Sequence, residues 1–195
     1  MKEKLIVPEF IESRQPTHVG WVPNPDEFSK KLVTQRSGSY RWDNDFLIFD
    51  DIAKVTSWLP IPILHNLEHF APTIQTIIDF QQAHYGLTNK AGNLYISQYY
   101  RHSPLPSSWH TDYVNKTGVS LYIVSNDYPT EFLLGTFSSH ASSSRRLERT
   151  GTLWTPKPFE IVRYDSQTLH RRPSFEYCEN RTRLLVGIRD FPSTI

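Results

Sequence analysis

Near Asn93 the hydrophobic period of the chain changes from helical to alternating, and the rest of the sequence reads as sheet. Upstream, Ile74, Ile77, Ile78, Gln81 and Tyr85 fall at the i, i+3, i+4, i+7 and i+11 spacing of one helix stripe, which predicts a helix from about Pro72 to Tyr85 with Gly86 as its stop. A preceding helix is expected over Ile63 to Phe70. Downstream, Leu94–Tyr100, Val119–Val124, Glu131–Phe137, Thr152–Thr155 and Phe159–Tyr164 each read as a short strand. A sixth apolar run follows Arg183 as Leu184-Leu185-Val186-Gly187-Ile188. Several short strands divided by Gly and Pro turns argue for a sandwich or barrel.

The N-terminal part is less regular. Pro8, Pro16, Pro23 and Pro25 suit a segment that wraps the surface or adds a short edge strand near Val19–Val22, and Asp26 is a candidate cap for a short helix over Glu27–Leu32. Residues 37–45 read as loop, and Phe46–Phe49 as a strand or buried turn. Residues 138–149, rich in serine and arginine, read as a polar connector or a mobile loop near a site mouth.

Within this frame, His110-Thr111-Asp112 places an imidazole and a carboxylate two residues apart. In an extended chain such residues point to one face and can converge on one ion. His170 lies 58 residues beyond Asp112. Two histidines and one carboxylate make the facial triad of non-haem Fe(II), which leaves positions open for co-substrate and oxygen. His65 and His69, four apart on the expected helix, offer a weaker metal pair, better explained as a helix surface. His102 is close enough to the motif to support it or to face substrate.

The order strand, H-x-D, strands, His, Arg-led apolar strand resembles the 2-oxoglutarate- and Fe(II)-dependent oxygenase superfamily over roughly residues 91–191. The resemblance implies a mainly β chain with flanking N-terminal helices, its core a double-stranded β-helix, or jelly roll. One domain is expected over 1–195, with 1–90 as wrap and supporting helices and 91–191 as the jelly-roll core. It further implies His110, Asp112 and His170 as iron ligands, 2-oxoglutarate as co-substrate, and hydroxylation of a peptide or protein side chain, an amino acid or a related small molecule with O2.

The distal carboxylate of 2-oxoglutarate calls for a cation, and arginine supplies a fixed bidentate fork. Arg181 and Arg183, 11 and 13 residues beyond His170, are the candidates; Arg183 is favoured because it opens the apolar run, Arg181 by spacing. The run Arg-Leu-Leu-Val-Gly-Ile-Arg-Asp-Phe-Pro is similar to the final strand of the aspartyl/asparaginyl hydroxylase branch. Tyr122 and Tyr99 are candidates for a hydroxyl completing that pocket. Trp109 either walls the substrate pocket or points away, and Arg171 and Arg172 are expected at the surface or behind the ligands. The Gly-Gly-x-Leu turn frequent in prolyl hydroxylases is replaced here by Tyr128-Pro129-Thr130-Glu131-Phe132-Leu133, a departure from that branch. The competing reading is a cupin-like jelly roll that binds metal or ligand without oxygenase activity; the chain lacks the H-x-H of most cupins.

A net charge of +1 and a pI near 7.9 create no field that calls for nucleic acid or a membrane, and the basic runs are short. Cys178 is the one cysteine, so no intrachain disulfide forms. With no signal-like leader and no long apolar run, a cytoplasmic protein is expected.

Overall fold

The computed structural model describes residues 10–30, 44–49, 61–85, 92–99, 106–111, 119–138, 151–165, 167–174 and 181–189; in β3, β4 and the first part of α2 it is the backbone that is described. The elements run β1 (Phe10–Ser13), β2 (Thr17–Trp21), α1 (Pro25–Phe28), β3 (Asn44–Phe49), α2 (Ile61–Tyr85), β4 (Gly92–Tyr99), β5 (Val119–Ser125), β6 (Glu131–Ser138), β7 (Thr152–Trp154), β8 (Glu160–Asp165), β9 (Leu169–Arg171) and β10 (Arg181–Arg189).

They form two sheets. The larger has the order β2-β8-β5-β10-β4-β3; in the smaller, β6 pairs with β1, β7 and β9. From β4 onward the chain crosses repeatedly between them. It leaves β4 in the large sheet, runs beside β9 at His110, and returns in β5; it then crosses to β6 and β7, back to β8, across to β9 and back to β10. Every ladder among the described residues is antiparallel, and this sheet-to-sheet alternation is that of a jelly roll.

Alternation along each strand divides the apolar residues among three layers. Leu121, Ile123, Phe132, Val162 and Tyr164 pack between the sheets, with Leu134, Trp154 and Leu185 against them. Tyr122, Val124, Ile161, Leu184 and Val186 occupy the other face of the large sheet, beneath Val22, Phe28, Phe70 and Ile77 of the N-terminal part. Trp109, Leu133, Phe137 and Leu169 line the outer face of the small sheet.

The expected pair of helices is one continuous helix with Pro72 inside it. Pro72 removes one backbone donor, but it is exposed, so the carbonyl that loses its partner can turn to water. The helix is also rotated from its expected stripe. It buries Phe70, Thr73, Ile77 and Gln81, while Tyr85 is 42% exposed under the Arg163 guanidinium. Phe70 sets this rotation by packing edge-on against Phe28, ring centres 5.1 Å apart. The short helix starts earlier than expected. Its cap is Asn24, whose Oδ1 accepts from Glu27 N at 3.3 Å, with Pro25 at the first helical position. Residues 44–45 are strand rather than loop, and the strands β1 and β9 were not legible in the sequence. Gly86, His102, Cys178 and residues 139–149 lie outside the described residues, as do the side chains of His65 and His69.

Gly151 marks where the outer layer is tightest. A Cβ there would sit 2.6 Å from Leu133 Cγ and 2.8 Å from Phe137 Cζ, both buried. Gly151→Ala is therefore expected to destabilise the fold by about 1–3 kcal/mol through overpacking, read as a lowered urea midpoint at unchanged m-value.

Candidate functional site

The chain brings His110 and His170 face to face. They form an antiparallel bridge in which each backbone N–H donates to the other's carbonyl, both at 3.0 Å. Residues so paired carry their side chains on the same face, and the two imidazole centres lie 4.4 Å apart. The pairing extends along the segment. Ser107 N donates to Arg172 O at 3.1 Å, and Arg172 N donates to Ser107 Oγ at 2.8 Å. The run before the H-x-D motif is thereby held alongside β9.

The two rings are oriented alike. His110 Nδ1 lies 2.9 Å from Ser108 O, and His170 Nδ1 lies 2.9 Å from Thr168 O. A carbonyl only accepts, so each Nδ1 carries a proton, and the neutral ring presents its lone pair at Nε2. Metal-binding histidines are commonly held this way, by a carbonyl on the second ring nitrogen. His170 is buried at 4% exposure, with the rings of Tyr164 and Phe132 centred 5.1 and 6.0 Å away. His110 is exposed, which puts the pair at the edge of the inter-sheet space with one side open to solvent. The donor set therefore fits a transition metal. Among the described residues no three His, Cys, Asp or Glu side chains cluster; Asp112, the expected third ligand, lies outside them.

The other expected residues divide. Arg183 sits on β10 between Thr182 and Leu184, and its register partners are Ser97 of β4 and Ser125 of β5. Leu184 faces the helix layer and Leu185 the inter-sheet layer, so alternation turns the half-buried Arg183 toward the inter-sheet space. Arg181 pairs in register with Tyr99; the side chains of both lie outside the described set. Tyr122 does not join the site. It is wholly buried on the opposite face of the large sheet, where its hydroxyl donates to Gln81 Oε1 of α2. It belongs to the helix–sheet layer because Leu121 and Ile123, its strand neighbours, take the inter-sheet face.

Trp109 points away from the histidines into the outer layer of the small sheet, where the Arg171 guanidinium lies 4.3 Å over its ring. Arg171 also donates from Nε to Glu131 Oε2 at 2.6 Å, so it braces the strand that carries His170 from behind. Sequence reasoning missed two buried hydroxyls, Ser125 and Thr130, which bracket the connection from β5 to β6 and have no hydrogen-bond partner among the described residues. The signal for Ser125 was its place at the end of an alternating strand, but no local pattern says which residue it will face.

No family model matches the chain, and no curated protein does. Solved structures do match. AviO1 from Streptomyces viridochromogenes Tue57 is 15% identical, with 94% of this chain aligned to 91% of that one at a TM-score of 0.50. SnoN, the non-heme alpha ketoglutarate dependent epimerase from nogalamycin biosynthesis, is 13% identical over 92% of this chain and 85% of its own, at a TM-score of 0.48. A prolyl-4-hydroxylase of Pseudomonas putida is 11% identical over 94% and 93%, at 0.42. By its strand order, the chain is a mainly β double-stranded β-helix with flanking N-terminal helices, similar in fold to AviO1 over nearly the full length of both chains.

Proposed function

We propose that the protein is a 2-oxoglutarate- and O2-dependent hydroxylase whose Fe(II) is held by His110, Asp112 and His170. The observation that carries this reading is the bridged histidine pair, with both rings locked by backbone carbonyls so that both present Nε2 lone pairs from one sheet face. Asp112, two residues beyond His110, supplies the carboxylate. Arg183, with Arg181 as the alternative, takes the distal carboxylate of 2-oxoglutarate. The substrate class is a peptide or protein side chain, an amino acid or a related small molecule, reached from the solvent-open side at His110. Among the described residues no helix is long and apolar enough to cross a membrane, and a cytoplasmic enzyme is the reading that goes with the single cysteine.

Bound Fe(II), 2-oxoglutarate and O2 supply the oxidising chemistry. The protein's part is positional. The carbonyls of Ser108 and Thr168 hold the ligand tautomers, and Tyr164 and Phe132 shield the inner ring from water. The arginine keeps the co-substrate in one orientation.

Anaerobic titration of the metal-free protein with Fe(II) and 2-oxoglutarate tests this reading. A visible metal-to-ligand charge-transfer absorption is expected in the wild type. It should vanish in His110→Ala and require more 2-oxoglutarate in Arg183→Ala. Metal binding without that absorption would move the protein to the cupin-like class. A normal titration in Arg183→Ala, with a defect in Arg181→Ala, would transfer the carboxylate to the other arginine.

A further inference from the structure

The segment that carries His110 has one residue too many for a regular ladder. His110 and His170 exchange both backbone bonds, each at 3.0 Å. A regular antiparallel pairing would then set Trp109 opposite Arg171 and Ser108 opposite Arg172. Arg172 bonds to Ser107 instead: Ser107 N donates to Arg172 O at 3.1 Å, and Arg172 N donates to Ser107 Oγ at 2.8 Å. Ser107 and Ser108 thus share one partner, which is a β-bulge, a device that re-aims the groups beside it. Here it re-aims a carbonyl. In a regular ladder Arg172 N would donate to Ser108 O. The Ser107 hydroxyl accepts in its place, and Ser108 O accepts from His110 Nδ1 at 2.9 Å. The bulge therefore supplies the acceptor that leaves the His110 lone pair on Nε2.

One side-chain pair holds the register between the bulge and the histidine bridge. The Trp109–Arg171 step is a non-hydrogen-bonded one, in which the side chains lie closest and carry the contact. It falls on the outer face of the small sheet, where Trp109 is buried and the Arg171 guanidinium lies 4.3 Å over its ring. Arg171 is fixed from its other side. It stands opposite Glu131 in the β6–β9 ladder and donates from Nε to Glu131 Oε2 at 2.6 Å. Behind the inner row of Phe132, His170 and His110 there is thus an outer row of Glu131, Arg171 and Trp109. A guanidinium suits the middle place, because its edge can donate to a carboxylate while its face lies on an indole.

We infer that Arg171 is a positioning residue for His110. Stacked on Trp109 and tied to Glu131, it fixes the register at which the Ser108 bulge holds His110 in its Nδ1–H form, with Nε2 presented to the site. The purpose of this role rests on His110 being a metal ligand, as proposed above; the ring state itself exists without metal. His170 takes its acceptor, Thr168 O, from β9, which the β6 ladder keeps in register, so its ring does not depend on the bulge.

The rings of the metal-free, full-length protein provide the test. Long-range proton–nitrogen correlation spectra of histidine-labelled protein show which ring nitrogen carries the proton, at a pH about two units above the ordinary histidine pKa. His110→Ala and His170→Ala identify the two rings. Both should be Nδ1–H in the wild type. Arg171→Met is combined with Glu131→Gln, so that no lone carboxylate stays behind. In that protein His110 should become a mixture of tautomers while His170 keeps Nδ1–H, and calorimetry should find Mn(II) bound about tenfold more weakly. Arg171→Lys, which keeps a cation for both neighbours, and Trp109→Phe, which keeps a ring face, should each hold most of the wild-type pattern. An unaltered His110 tautomer in the Arg171→Met, Glu131→Gln protein would overturn the role. So would an equal loss at both rings with a lowered unfolding temperature, the mark of a sheet loosened throughout. If the ring pattern is as expected but the wild type binds no Mn(II), the positioning stands and the metal reading of the site falls.

Discussion

His170→Ala is expected to yield a folded protein that does not retain Fe(II) and consumes 2-oxoglutarate more than about a hundredfold more slowly than the wild type. The floor follows from the residues behind metal ligands, whose loss already costs about 10–100-fold; loss of a ligand itself exceeds that. A stability cost accompanies it. The ring is buried between Tyr164 and Phe132, and its Nδ1 satisfies Thr168 O. Truncation leaves that carbonyl unpaired and a void beside it, about 1–3 kcal/mol for the polar part alone. Metal content after Fe(II) loading, succinate formation and a urea melt measure the three effects separately. Retention of stoichiometric iron would remove His170 from the ligand set, whatever the activity.

The second large effect is structural. Phe132 is fully buried on the inter-sheet face of β6, and its ring meets Tyr164 at 5.2 Å, Trp154 at 5.7 Å and His170 at 6.0 Å. It is the one side chain in this set that touches the large sheet, the small-sheet edge and the candidate ligand together. Phe132→Ala is expected to cost about 3–5 kcal/mol, enough to take most of the stability of an ordinary domain. Phe132→Leu, which keeps much of the volume, should cost clearly less. Urea denaturation followed by tryptophan fluorescence reads both. A loss under about 1 kcal/mol for the alanine variant would mean that the interior closes over the gap, and the rigidity ascribed to the His170 wall would not hold. The same variant should weaken Fe(II) even where it remains folded, because His170, the proposed inner ligand, has lost its packing partner.

These two substitutions also separate what was local from what was not. Strand positions were legible because alternation is a property of a few consecutive residues: β5, β6, β8 and β10 all overlap their expected runs. The H-x-D pattern and the distant histidine were legible as candidate chemistry because ligand types and spacing are written in the chain. Elements without a periodic signature were not. β9 has three residues, too few to show a period, and it exists because β6 and the His110 segment pair with it on either side. The break expected at Pro72 is a local preference overridden by packing, since Phe70 and Ile77 on either side of the proline both anchor in the same layer.

The sequence by itself determined the strand alternation, the helix before it and the inventory of metal-binding and carboxylate-binding side chains. Tertiary structure alone decided which face each alternating set took. Alternation defines two faces but not which one meets the opposing sheet; that depends on partners far away in the chain. So Tyr122 went to the helix layer and Ser125 to the side facing the small sheet, Trp109 turned outward to Arg171, and His110 met His170 across 60 residues of chain. Each of these placements follows from register, and register is fixed by the pairing of whole strands rather than by any short stretch of sequence.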